Sequence, residues 1–355
     1  MARNIAVFAD GTWESNEAAH PTNVVKLHAA LLPKAKRGTQ QLSCYQIGLG
    51  AAGWKAWRIL SGATGAGLSE NVQDLYGYLV LNYRPGDKLF LFGFSRGAYT
   101  VRSLSGLIRS CGILRPEHFD RINEAYARYI ARGLETHPRA VRSRNYRQAY
   151  AWPEFAEPDG FIIHFIGVWD TVGSLGIPGT GVDKLLERFH DTDLSTFTHH
   201  AYQALAVDER RSTFMPCVWT QQPGAPAEQV LEQVWFAGVH CDVGGGYGQD
   251  GLSNDTLAWM WRRAEQAGLA LDKKQYPAGN VYGKLHDSLT GLFKVLSWVH
   301  SGRRKIILKQ PPTVPATNQG VHESVKQRFD HQDLHYRPKN LDVYLNDPHS
   351  VYVND

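Results

Sequence analysis

Two kinds of hydrophobic pattern take turns along this chain. Compact apolar runs occupy residues 5–9, 42–47, 89–92, 161–168 and 230–239, most of them bounded by Gly, Pro or Asp. Runs of this length without polar alternation predict strands buried on both faces of a sheet. Between them lie stretches with helical spacing at 21–32, 68–83, 116–150, 199–211 and 253–267. In 68–83 the residues Val72, Leu75, Leu79 and Val80 share one face, and 253–267 has Asn254 and Asp255 near its start and Gly268 after its end. Strand and helix in alternation predict an α/β domain with a mostly parallel central sheet flanked by helices. No internal repeat or low-complexity linker divides it, so residues 1–355 read as a single domain. Cap or lid insertions are expected within 116–158 and 173–229. Residues 300–355, turning Pro-rich at Pro311, Pro312 and Pro315, read as a C-terminal extension packed on the domain.

The strongest local signal is at 87–108. There the run ending at Phe92 meets Gly93-Phe94-Ser95-Arg96-Gly97 and then a helix-like segment with small residues at Ala98, Ser103, Ser105 and Gly106. A serine hydroxyl is a poor nucleophile unless a sharp turn lifts it clear of the sheet toward a base. Gly93 and Gly97 remove side chains that would collide as strand turns into helix. Strand, Gly-x-Ser-x-Gly and helix together predict a nucleophile elbow, and with it the α/β hydrolase fold with cap insertions. The backbone N–H of Arg96, at the positive end of the new helix, is a candidate oxyanion donor. The run at 5–9 ends in Asp10-Gly11-Thr12, and a loop after an early strand supplies the second donor in this layout, so Gly11 and Thr12 are candidates. Asp10 has the plainer explanation of a turn former.

Two further strand ends carry ionisable groups. Asp170 follows the run at 161–168 within Trp169-Asp170-Thr171-Val172-Gly173, where open α/β sheets place functional groups. It is the candidate acid of a triad, with a turn cap as the structural alternative. His240 follows 230–239 in His240-Cys241-Asp242-Val243-Gly244-Gly245-Gly246-Tyr247, and strand, histidine loop and helix suit the catalytic base. The order Ser95, Asp170, His240 is the hydrolase order. His286 is the alternative base, and His322 a further rival. A different chemistry is also open: Asp10, Asp170, His240 and Asp242 all fall at strand ends and would suit a metal-dependent phosphoesterase if they converged on a divalent cation. A non-catalytic binding module is the third alternative.

Composition narrows the classes. At 355 residues with 43% hydrophobic and 20% charged content the chain suits a folded soluble protein, and a net charge of +4 is too mild for a nucleic-acid binder. Cys44, Cys111, Cys217 and Cys241 lack the short spacings of a zinc or redox site, so free thiols are expected and no cofactor is called for. The N-terminus runs straight into a strand and no apolar stretch is long enough to span a bilayer. Synthesis in the cytoplasm is expected, with any export by a route that reads no signal peptide. Three segments could face lipid or simply pack: the Gly-rich 51–67 with Trp54 and Trp57, the Arg-rich 116–150, and the amphipathic 289–299.

These blocks together resemble a known family. Phe8-Ala9-Asp10-Gly11-Thr12-Trp13, Pro21-Thr22-Asn23-Val24, Pro85-Gly86-Asp87, Phe92-Gly93-Phe94-Ser95-Arg96-Gly97-Ala98, Val168-Trp169-Asp170-Thr171-Val172-Gly173, Asp208-Glu209-Arg210-Arg211 and 240–247 look like the uncharacterised α/β hydrolase family that includes type VI secretion phospholipase effectors. The resemblance runs in order from about residue 5 to about residue 341. It implies an α/β hydrolase fold and a Ser-Asp-His triad at Ser95, Asp170 and His240. It also implies hydrolysis of lipid esters, with phospholipase A activity known for secreted members. The partners it implies are an ester or phospholipid substrate, peripheral membrane contact, and an immunity or secretion partner. Those effectors usually carry additional membrane-anchoring regions, and this chain is little more than the catalytic domain.

Overall fold

The computed structural model describes residues 2–11, 20–47, 65–131, 133–157, 160–172, 193–211, 214–289, 302–308 and 316–355. Thr12, the loop with Trp54 and Trp57, most of 289–299 and the prolines at 311–315 lie outside them.

Nine strands are present among the described residues: β1 (Asn4–Ala9), β2 (Gln41–Gln46), β3 (Lys88–Phe94), β4 (Ile163–Trp169), β5 (Asp193–Leu194), β6 (Thr198–Ala206), β7 (Thr220–Gln221), β8 (Val230–Phe236) and β9 (Gln319–Val321). Seven form one sheet in the order β2-β1-β3-β4-β6-β8-β9. Every pairing in it is parallel, so the expected mostly parallel sheet is parallel throughout. β5 and β7 pair separately.

The helices are α1 (Asn23–Ala29), α2 (Gly65–Asn82), α3 (Arg96–Cys111), α4 (Ile122–Ala131), α5 (Val141–Tyr150), α6 (His240–Gly244), α7 (Gly251–Gln266), α8 (Glu323–Asp330) and α9 (Asp342–Asn346). They cover both faces. On β1 the side chains of Ile5 and Val7 pack with Leu75 and Leu79 of α2 and Val101 and Leu104 of α3. Ala6 and Phe8 face the other way, toward Leu27 of α1 and Trp259 and Trp261 of α7. Alternate residues of a strand point to opposite faces, and with both faces covered no polar alternation survives. The far edge has its own cluster, in which Leu205 and Trp235 meet Val321, Val325, Phe329 and Leu345. The C-terminal region thus supplies an edge strand and a helix to the domain.

One expected element changes type. Residues 199–211 have helix-forming Ala, Gln and Leu, yet 198–206 is β6, between β4 and β8. The segment is buried from Ala201 onward, and two sheet neighbours outweigh the weak intrinsic preference of those residues. Its Gln203 accepts a hydrogen bond from Thr171 Oγ1 at 2.5 Å and donates to Gln233 Oε1 at 2.9 Å, so the buried amide is satisfied. The central part of 173–229 therefore belongs to the sheet. Within 116–158, α4 and α5 pack along the half of α3 farthest from Ser95: Cys111 Sγ donates to Ala125 O and Arg147 Nη1 to Ser110 O. That segment is a flanking layer there, held by apolar contacts of Tyr126, Tyr129 and Tyr146 with the core.

The strand order reverses between β1 and β3. β2 lies on one side of β1, and the chain then crosses back to place β3 on the other. In open parallel sheets a crevice forms at such a switch point, outside the carboxyl ends of the strands. Here those ends carry Asp10-Gly11 and Phe94-Ser95.

Candidate active site

Ser95 occupies the turn from β3 into α3 with φ 56° and ψ −121°, the left-handed conformation of a type II′ turn that a non-glycine residue rarely adopts. Holding it costs about 1–3 kcal/mol, which the surrounding structure must supply. Two glycines make the turn passable. A Cβ on Gly93 would lie 2.5 Å from the Gly97 carbonyl oxygen, and one on Gly97 would lie 2.1 Å from the Ala9 carbonyl oxygen. Ser95 N donates to Trp169 O at 3.1 Å, which ties the elbow to β4.

At the end of β4, Asp170 is fully buried and also left-handed, with φ 41°. Its carboxylate accepts four hydrogen bonds. Ala206 N and Arg304 Nη1 donate to Oδ1 at 3.0 and 2.5 Å. His240 Nδ1 and Arg304 Nη2 approach Oδ2 at 2.6 and 2.9 Å. Burial alone would raise the carboxyl's pKa, but the Arg304 charge and the His240 hydrogen bond hold it well below the usual carboxylate range. An ionised carboxylate only accepts, so His240 carries its proton on Nδ1 and its lone pair on Nε2.

His240 is buried at the N-terminus of α6. Burial lowers its pKa; Asp170 opposes that, while Arg211 lowers it further and Glu209 raises it. The ring lies against that of Phe94, the residue before Ser95, tilted to it at 4.6 Å between centroids, and Phe214 meets it edge-on at 5.0 Å. The glycines after it allow close approach, since a Cβ on Gly244 would fall 2.0 Å from the Phe94 ring. Its backbone N–H donates to Glu209 Oε2 at 3.2 Å. Burial would raise Glu209, but hydrogen bonds and charge from Arg211 bring it down to about 2.

The other candidates fall elsewhere. His286 Nδ1 pairs with Asp242 Oδ1 at 2.5 Å and its ring stacks on Tyr247, so it belongs to a second pair and does not face Asp170. His322 caps α8, accepting from Ser324 N. Gly11 is beside Ser95, its hypothetical Cβ 3.2 Å from the serine Cβ, but its N–H donates to Asp10 Oδ1 at 2.8 Å. Asp10 also accepts from Thr22 Oγ1 and Tyr45 OH, which gives it the turn-organising role. Asp10, Asp170 and Asp242 thus each face separate protein donors. No group of three or more His, Cys, Asp or Glu side chains among the described residues is arranged to hold a metal ion. Arg304 and Glu209 were absent from the sequence candidates. Glu209 lies in one of the quoted blocks, whereas nothing local marks Arg304.

A parallel sheet between two helical layers, with a strained serine in the turn at its switch point, is the α/β hydrolase fold. The chain belongs to the family described as T6SS phospholipase effector Tle1-like, catalytic domain, whose model matches residues 3–263. It is 27% identical over 237 residues to the uncharacterized protein YEL023C of Saccharomyces cerevisiae, which covers 63% of this chain and 34% of that protein. The chain therefore spans about a third of the length of that relative. Among solved structures it is similar to the Tle1 effector bound to the VgrG spike of the type 6 secretion system, with 19% identity, 70% and 52% of the two chains covered and a TM-score of 0.36. It is also similar to an uncharacterized protein from Pseudomonas aeruginosa, with 18% identity, 76% and 46% coverage and a TM-score of 0.42. No helix among the described residues is long and apolar enough to cross a membrane.

Proposed function

We propose that the chain is a serine hydrolase that cleaves carboxylic esters of lipids, with phospholipids as the substrate class the family suggests. The observation that carries this is the buried Asp170–His240 pair, 2.6 Å apart, at the same strand edge as the strained Ser95. In this mechanism Ser95 Oγ attacks the ester carbonyl carbon while His240 Nε2 takes the hydroxyl proton. The tetrahedral oxyanion is held by Arg96 N–H at the start of α3 and by a second donor from Gly11 or Thr12. Gly11 serves only once its N–H leaves Asp10. The carbon–oxygen bond to the alcohol then breaks, His240 returns the proton to the leaving oxygen, and an acyl-Ser95 ester remains. Water, deprotonated by His240, attacks that ester and releases the acid. Asp170 fixes the imidazole tautomer and stays ionised throughout.

Delivery by a type VI secretion machine, a secretion or immunity partner and peripheral contact with a membrane belong to the same proposal, supported by family membership. The test is release of fatty acid from mixed phosphatidylglycerol and phosphatidylethanolamine vesicles. Ser95→Ala is expected to lower turnover by at least about 10³-fold with an unchanged circular dichroism spectrum. Equal turnover by the variant would sink the mechanism.

A further inference from the structure

We propose that Arg304 is a positioning residue for the Asp170–His240 pair, a cation supplied from beyond the family-matched residues that holds the carboxylate in place and balances its charge. This rests on the serine-hydrolase proposal above. The family match ends at residue 263, and Arg304 lies in the described segment 302–308.

The geometry is a planar fork on a carboxylate. Arg304 Nη1 and Nη2 reach the two oxygens of Asp170 at 2.5 and 2.9 Å, and the side chain is 1% exposed. Two-pronged pairing fixes orientation as well as distance, which a lysine ammonium cannot do. The same guanidinium donates to Ala206 O at 2.9 Å and to Phe214 O at 2.5 Å. It therefore joins the end of β4, the end of β6 and the turn whose Phe214 ring meets His240. The segment is itself tied down, because Asn340 Nδ2 donates to Arg304 O at 3.3 Å and to Val207 O at 3.0 Å.

The electrostatic consequence concerns His240. A lone buried carboxylate at hydrogen-bond distance would stabilise the imidazolium and keep the base protonated at neutral pH. With Arg304 on the far side, Asp170 and its cation form a neutral unit. Glu209, the other carboxylate acting on the ring, is bound by Arg211, and the Asp242 carboxylate on α6 is hydrogen-bonded to His286. His240 thus stays neutral and available as a base while Asp170 still dictates its tautomer.

The experiment follows the His240 ring by NMR titration in wild type, Arg304→Gln and Arg304→Lys, with His240→Ala to assign the resonance, beside the pH dependence of kcat/KM on a p-nitrophenyl ester. Removing the cation should raise the His240 pKa and move the acid limb of kcat/KM upward by about one pH unit. Arg304→Lys should leave both near wild type and lower kcat by roughly tenfold, because the charge survives and the fork does not. A folded Arg304→Gln with an unmoved ring titration overturns the proposal. If Arg304→Gln does not fold, wild-type kcat in Arg304→Lys overturns it instead. A shifted ring titration in a protein whose wild type shows no Ser95-dependent turnover supports the role of Arg304 and counts against the hydrolase reading alone.

Discussion

At the scale of single residues, the site depends on how close backbones approach. Gly97 lies against the end of β1, where a methyl group would overlap the Ala9 carbonyl, so the elbow cannot accept any larger residue without moving β1. Gly97→Ala is expected to cost about 1–3 kcal/mol or more, read as a lower urea midpoint, whereas Gly302→Ala, with nothing within 4 Å of its Cβ, should be near neutral. Equal midpoints for both would contradict the packing described. The sequence exposes Ser95, Asp170 and His240 because each sits in a short local pattern: small residues around a serine, a carboxylate ending an apolar run, a histidine before glycines. It conceals Arg304, whose importance comes from full burial against a residue 134 positions away. It also conceals that the Gly11 N–H is turned to the Asp10 carboxylate.

Among the elements, β1, β3, β4, β8 and α7 are legible in the sequence because each has one unbroken pattern. β6 is not, since Ala-Tyr-Gln-Ala-Leu-Ala has helical preference and becomes a strand only through its neighbours. β9 is too short for any periodicity to show. The neighbouring strands β4 and β6 also bring His164, His199 and His200 together, with His199 and His200 3.8 Å apart and His164 5.7 Å from each. Burial is the main cause that pushes His164 and His200 down to about 4, with neighbouring histidines and Lys88 adding to it. Because the folded pKa lies below the ordinary value near 6.5, these rings favour the fold when neutral. That contribution is complete above about pH 6.5 and is lost as pH falls toward 4. Urea unfolding should give a lower midpoint at pH 5 than at pH 7, and the difference should shrink in His164→Phe. A pH difference undiminished in His164→Phe would argue against this cluster.

In the molecule as a whole, topology decides where chemistry gathers. The strand order reverses between β1 and β3, so the crevice, the Ser95 turn and the Asp10-Gly11 loop share one place. β4 and β8 then deliver Asp170 and His240 to the same edge, and the C-terminal region closes the far side with β9, α8 and Arg304. The central claim is that this convergence activates Ser95. Intact-mass spectrometry after treatment with a fluorophosphonate measures that directly, comparing wild type with Ser95→Ala, His240→Ala and His286→Ala. One adduct on wild type and on His286→Ala, with none on Ser95→Ala and labelling slowed at least about 10²-fold in His240→Ala, is the predicted result. Full-rate labelling of His240→Ala, or no adduct on wild type, would contradict it.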